Sequence, residues 1–263
     1  MTMFLALWAT PRSTSTAFEW MMRQRGDFAC HHEPWNELYY YGQDRVSDRD
    51  AHVEPRPGHT FDSVWDALAA QSRSENVFVK DFAYSVEHTL TDDRIKALTH
   101  TFLIRDPTRV VQGMAKHWPD CTWEEVGFES LHRLFHRVAE SQGEAPPVMV
   151  SSELLDRPEA TAKAYCDAVG IEFRPEALEW ESGDRSAVSW YGEGSGPWHD
   201  NLRASTGIQR PKTTYPPLEE TPRLHELAER ARPLYEDMCT HALALPNIEQ
   251  TATTSPTQQK SSP

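Results

Sequence analysis

At 263 residues and 38% hydrophobic, the chain is long enough to bury one large α/β core. Its net charge of −14 argues against nucleic acid and anionic membrane surfaces as partners, so any anion site has to be a local basic patch on an acidic protein. No segment is long and apolar enough to span a bilayer, and Cys30, Cys121, Cys166 and Cys239 lack Cys-x-x-Cys spacing, which reads as free thiols of a reducing cytoplasm without a zinc site.

In chain order, Phe4–Ala9 reads as a buried first strand, a better use of that apolar run than a signal peptide. Thr10-Pro11-Arg12-Ser13-Thr14-Ser15-Thr16 follows directly and opens an amphipathic helix, Ser15–Gln24. Strand, tight hydroxyl-rich loop and helix together aim unpaired N–H groups and the positive end of a helix dipole at one spot. Arg12 adds a full charge, and Ser13, Thr14, Ser15 and Thr16 add hydroxyl donors suited to phosphate oxygens. A plain Ser/Thr cap is the alternative, but it accounts for one hydroxyl and not for the cluster. The loop has no glycine and no lysine, so it is not the Gly-rich nucleotide loop.

Phe28–Cys30 is the next strand, and it runs into His31-His32-Glu33-Pro34-Trp35 and a helix carrying Asn36 to Tyr41. Glu33-Pro34 suits a helix cap. His31 and His32 point to opposite faces of a strand, which disfavours a shared metal. Gln43–Thr60 is polar, with two prolines, and reads as a loop or lid. A helix over Phe61–Ser72 leads to the strand Val77–Lys80, closed by Lys80-Asp81; a surface ion pair is one account of that pair. A helix near Asp92–Leu98 precedes the strand His100–Ile104, which ends in Arg105-Asp106-Pro107 and turns into a helix near Val110–Lys116. There, an Arg105–Asp106 salt bridge closing the turn competes with an anion-binding role.

Glu129–Ser141 reads as a helix, Pro147–Ser151 as the fifth strand, and Pro158–Val169 and Thr221–Leu243 as peripheral helices. Gly194–His199 and the following stretch to Gly207 form a Gly-rich loop with Trp198 and Arg203 beside it. The alternation of strand and helix predicts an α/β fold: one P-loop-like domain over residues 1–246, a central parallel sheet with helices on both faces. Residues 247–263 read as a disordered tail. Arg12, Glu33, Lys80 and Arg105 each follow a strand, so they converge at its carboxyl end.

Pro11-Arg12-Ser13-x-x-Thr16 after the first strand resembles the 5′-phosphate loop of sulfotransferases that use 3′-phosphoadenosine-5′-phosphosulfate (PAPS), closest in style to the tyrosylprotein branch and to bacterial and fungal small-molecule relatives. Segments matching in order carry the resemblance from Phe4 to Gly207. It implies that Arg105 binds the ribose 3′-phosphate, that Glu33 is the general base, and that Lys80 stabilises the leaving bisphosphate. It also implies that the Gly-rich segment, with Trp198 and Arg203, closes over the nucleotide. Gly113 stands where the resemblance expects a serine on the 3′-phosphate, with Thr108 or Gln112 as replacements or weaker binding as the consequence.

His32, Trp35, Tyr39 and Asp81 are the expected acceptor contacts, within an aromatic-rich region that also holds Tyr40, Tyr41, Trp118 and Trp123. The resulting expectation is a cytoplasmic PAPS-dependent enzyme sulfating a hydroxyl or amine of a small molecule, with no metal required, and with no nucleic acid or membrane partner. A nucleotide-dependent phosphotransferase and a non-catalytic bisphosphate binder are the alternatives.

Overall fold

β1 (Phe4–Ala9) is apolar without interruption, and all six of its residues are buried. A parallel strand covered on both faces has no need of polar alternation, and β1 takes the central position. It pairs in parallel with β3 (Val77–Asp81), Leu7 opposite Lys80, and with β4 (Thr99–Ile104), Leu7 opposite Thr101. β2 (Ala29–His32) extends the sheet beyond β3, and β5 (Val148–Val150) extends it beyond β4. The order is β2-β3-β1-β4-β5, so the chain leaves β1 toward one edge and β4 toward the other. That reversal opens a crevice at the carboxyl ends of β1 and β4, where doubly wound sheets hold ligands.

This computed structural model describes residues 2–183, 200–210, 215, 217–218 and 221–246. In the first half, the sheet is covered by α1 (Ser15–Gln24), α2 (Pro34–Tyr41), α3 (Phe61–Gln71), α4 (Ala83–Val86), α5 (Asp92–Ala97) and α6 (Pro107–Ala115). The second half supplies α7 (Trp123–Val126), α8 (Phe128–Gln142), α9 (Ser151–Asp156), α10 (Pro158–Val169), α11 (Asp200–Arg203) and α12 (Pro222–Cys239). The expected parallel α/β sheet is present, and each expected strand falls within two residues of its place. The four- to six-residue helices α4, α7 and α9 escape sequence reading because they are too short to show a helical period. The expected tail lies outside the described residues.

The core settles one aromatic question. Trp35 is fully buried and stacked between Trp8 (5.9 Å) and Trp65 (6.1 Å), so it packs the sheet against α3 rather than facing an acceptor. The Gln43–Thr60 stretch is the expected loop, and it is tethered. Arg49 donates to Glu125 at 2.5 Å and to Asp120 at 3.0 Å, and its guanidinium lies 4.6 Å from the Trp118 ring. All four cysteines are free thiols. Among the described residues, no helix is long and apolar enough to cross a membrane.

His100, buried on β4, accepts from the Trp8 indole N–H at 2.8 Å, and its Nε2 lies 2.9 Å from the Ile95 carbonyl. Those partners fit a neutral ring, and burial pulls its pKa down to about 4. The unfolded chain takes up this proton first, so His100 costs stability as pH falls from about 6.5 to 4, by roughly 3 kcal/mol in full. We expect denaturant unfolding of His100→Gln to lose less stability than the unmodified chain across that window. Parallel pH profiles would contradict this.

Candidate active site

Among the described residues, three that are not glycine hold a positive φ: Arg12 at 60°, Thr14 at 75° and Glu33 at 46°. Each such conformation costs on the order of 1–3 kcal/mol and persists only where surrounding structure enforces it. Glu33 holds it immediately before Pro34, where the chain prefers an extended backbone. All three lie in the two segments that follow β1 and β2.

The β1 ladder continues one step past the strand, with Thr10 N–H donating to Leu103 O at 3.1 Å, and the chain then turns sharply into α1. Ser15 and Thr16 open that helix, and the Thr14 carbonyl accepts from the N–H groups of Ala17 and Phe18. Thr14 and Ser151 share a hydroxyl contact at 3.1 Å, tying the loop to the head of α9. The hydroxyls of Thr10 and Ser13 are buried without a hydrogen-bond partner. Leaving such a group unsatisfied costs roughly 1–3 kcal/mol, which an anion's oxygens would remove.

Arg105, at the end of β4, donates to the Arg12 carbonyl at 2.5 Å and so braces the loop. Burial lowers the Arg105 pKa; the charges of Arg12, Arg109 and Arg210 act in the same direction, while Tyr215 opposes them. Arg105 thus joins the Arg12 loop to a region that also holds Arg109 and Arg210, the last paired with Asp156 at 2.5 Å. Beside them opens a cleft of about 750 Å³, lined in part by Arg105, Thr108, Arg109, Gln112, Ser151 and Arg210. Asp106 does not bridge to Arg105 in this arrangement. It caps α6 through the Arg109 N–H (3.3 Å) and pairs with Arg232 of α12 at 2.6 Å. Sequence reasoning missed Arg210 and Ser151, because Arg210 sits in an irregular segment without a motif and Ser151 follows a three-residue strand.

Gly113 has a role different from the expected missing hydroxyl. A Cβ there would lie 2.9 Å from Arg12 Cγ and 3.0 Å from Arg12 Cβ. The glycine makes room for the arginine stem, and the cleft is served by Thr108 and Gln112 on the same helix. Gly113→Ser should therefore displace Arg12 and weaken anion binding by about tenfold, the scale of a 1–3 kcal/mol overpacking strain. A calorimetric titration measures this directly, whereas melting temperature would mix in the gain in helix propensity. Tighter binding would restore the hydroxyl account.

The second half of the site follows from register. His32 is paired with Lys80, and Glu33 N–H donates to Lys80 O at 2.8 Å, so the two side chains meet where the strands end. The fully buried Lys80 ammonium donates to Glu33 Oε1, while Asn36 Nδ2 donates to Oε2 at 3.1 Å. His32 Nε2 lies 3.6 Å from Glu33 Oε1, and its Nδ1 meets Glu19 Oε2 at 2.5 Å. Burial favours the neutral form of Glu19, but the neighbouring His32, then Lys80 and Arg23, hold its pKa down at about 2.

The residues expected to touch an acceptor are all enclosed. Asp81 is fully buried and accepts from Trp35 N–H (2.8 Å), Asn36 N–H (3.3 Å), Phe82 N–H (2.7 Å) and the Ser85 hydroxyl (3.2 Å). It caps α2. Burial, with the Glu33 charge, pushes its pKa up to about 7. Tyr39 is 4% exposed and packs edge-on against Tyr40 and Tyr84. His32 serves the Glu19–Glu33 chain of contacts. Arg203 pairs with Asp200 within α11, and Trp198 lies outside the described residues.

A parallel sheet with a strained, hydroxyl-lined loop at its switch point makes this a doubly wound α/β domain with its candidate site at the strand ends. The family is more specific: residues 3–242 match the sulfotransferase domain, and the chain belongs to that family. Among curated proteins it is 27% identical over 241 residues to branched-chain-amino-acid aminotransferase-like protein 2 of Arabidopsis thaliana, and 27% over 243 residues to protein 1 of the same name. Each match takes in 89% of this chain but only 41% of the relative's length. Among solved structures, the sulfotransferase domain from the curacin biosynthetic pathway superposes with a TM-score of 0.49 at 11% identity, covering 94% of this chain and 99% of that one. Retinol dehydratase in a complex with retinol and PAP gives 0.41 at 11% identity, covering 97% and 84%.

Proposed function

We propose that the chain transfers a sulfuryl group from PAPS to a hydroxyl or amine of a small-molecule acceptor. The observation that carries this reading is the cluster of Arg12, Arg105, Arg109 and Arg210 beside the two partnerless hydroxyls of Thr10 and Ser13. Arg210 is paired with Asp156 at 2.5 Å, and the positive charge that Arg12, Arg105 and Arg109 add beside the cleft suits a ligand with phosphate at both ends of a ribose. PAPS supplies the activated sulfuryl group and departs as adenosine 3′,5′-bisphosphate.

Arg12, the loop hydroxyls and the head of α1 hold the 5′ end. Arg105, with Arg109 and Arg210, takes the 3′-phosphate. Glu33 removes the acceptor proton, and Lys80 donates to the oxygen that leaves. Lys80 sits on Glu33 in this structure, so the two roles are linked. Drawing the ammonium toward the ligand frees a lone pair of the base, and Asn36 and His32 keep that carboxylate in place. No step calls on a metal.

Release of adenosine 3′,5′-bisphosphate from PAPS, followed across phenols, alcohols and amines, tests the activity. Acceptor-dependent release supports the reading, release that no acceptor accelerates means transfer to water, and no release at all means a binder. Arg105→Ala should weaken the bisphosphate by at least a further tenfold relative to adenosine 5′-phosphate, since a charged hydrogen bond is worth roughly 1.5–3 kcal/mol. Both nucleotides should lose some affinity, because Arg105 also braces the Arg12 carbonyl. Equal losses would remove Arg105 from the 3′-phosphate.

A further inference from the structure

α8 and α12 pack against each other away from the strand ends, and their contact holds a group that no step above uses. His132 and His136, one helical turn apart on α8, both direct Nε2 at the same carboxylate oxygen of Asp237 on the last turn of α12. The Nε2 atoms lie 2.9 and 3.0 Å from Asp237 Oδ2, and 3.0 Å from each other. With Asp237 ionised, ring protons cannot satisfy all three contacts of this triangle. If both rings carry the proton on Nε2, two donors face each other; if one does, a lone pair faces the carboxylate oxygen; if neither does, all three contacts oppose lone pairs. A single cation satisfies all three at once.

We propose that His132, His136 and Asp237 bind a divalent transition-metal ion of the zinc type. Two neutral imidazoles and one carboxylate form a borderline-soft donor set that suits such an ion over magnesium or calcium. With metal–ligand bonds of about 2.0–2.2 Å, an ion touching all three sits roughly 1 Å out of the plane of the ligand atoms, leaving its fourth position for water. The side chains are 24%, 45% and 44% exposed, so the ion enters from solvent without opening the fold.

The ion staples the last turn of α12 to α8. The same helix pairs with Asp106 through Arg232 and contributes His225, Ala228 and Glu229 to the wall of the arginine-lined cleft. The site therefore holds the helix and takes no part in chemistry. None of Arg12, Glu33 or Lys80 belongs to it, and it stands whether or not PAPS is the ligand of the cleft.

Untagged protein, stripped with a chelator and titrated with zinc chloride by calorimetry, tests the site. We expect one ion per chain and a higher melting temperature with zinc. His136→Ala and Asp237→Asn should each weaken binding by roughly a hundredfold or more, since losing even an outer-shell partner costs about 10–100-fold. The His136 and Asp237 side chains are close to half exposed, so neither change threatens the fold, and an unaltered circular dichroism spectrum verifies that. Cobalt(II) in place of zinc should show visible bands of low-coordinate nitrogen and oxygen ligation, lost in His132→Ala. Absence of zinc binding, or binding that survives the variants, would overturn the proposal.

Discussion

Glu33→Gln is expected to lower turnover by about two to four orders of magnitude while leaving bisphosphate affinity nearly unchanged. The amide keeps the shape and the Asn36 contact but takes no proton. It also leaves the buried Lys80 ammonium without its carboxylate, and breaking such a pair costs about 3–5 kcal/mol. Two readouts separate base loss from instability. Turnover is measured on samples shown to be folded by circular dichroism, and the loss should shrink for a phenol acidic enough to be ionised before it binds, since that acceptor needs no base. An equal loss for ionised and neutral acceptors would make Glu33 structural, and near-normal turnover would end its role as the base.

Lys80→Met is the second large effect, and it reaches the same pair from the other side. Removing a donor aimed at developing charge typically costs about a hundred- to a thousandfold in turnover. The methionine fills the volume of the stem but strands Glu33 in the core beside His32 and Asn36. We expect the single variant to lose about 3–5 kcal/mol of stability and some nucleotide affinity. The double variant Glu33→Gln, Lys80→Met should recover most of the stability, because two neutral groups replace a buried ion pair, yet stay as inactive as the poorer single variant. Recovered turnover in the double variant would show that the pair only holds the fold.

The sheet was legible in the sequence because every strand is an apolar run bounded by polar loops, and because α1 begins at the hydroxyl cluster that announces it. The placement of Arg12, Glu33, Lys80 and Arg105 just after or at the ends of strands was legible for the same reason: strand ends are visible, and they share one edge of a parallel sheet. Partnership was not visible. Whether Asp81 faces a ligand or caps α2 depends on which N–H groups surround it, and those come from Trp35 and Asn36, some 45 residues away in the chain. Trp35 looked like a pocket wall because composition cannot tell a stacked core tryptophan from an exposed one. Gly113 looked like a lost hydroxyl because its neighbour, the Arg12 stem, is about a hundred residues distant. Arg210 and Ser151 had no pattern to carry them, and they reach the cleft only through the packing of the second half of the chain.

The most direct test is calorimetric titration of adenosine 3′,5′-bisphosphate into the chain with a chelator present, repeated with ATP and magnesium and with Arg12→Ala. The account predicts saturable binding of the bisphosphate at one site per chain without metal, abolished by Arg12→Ala, with ATP and magnesium far weaker. Binding of ATP with magnesium in the absence of any bisphosphate binding would contradict it.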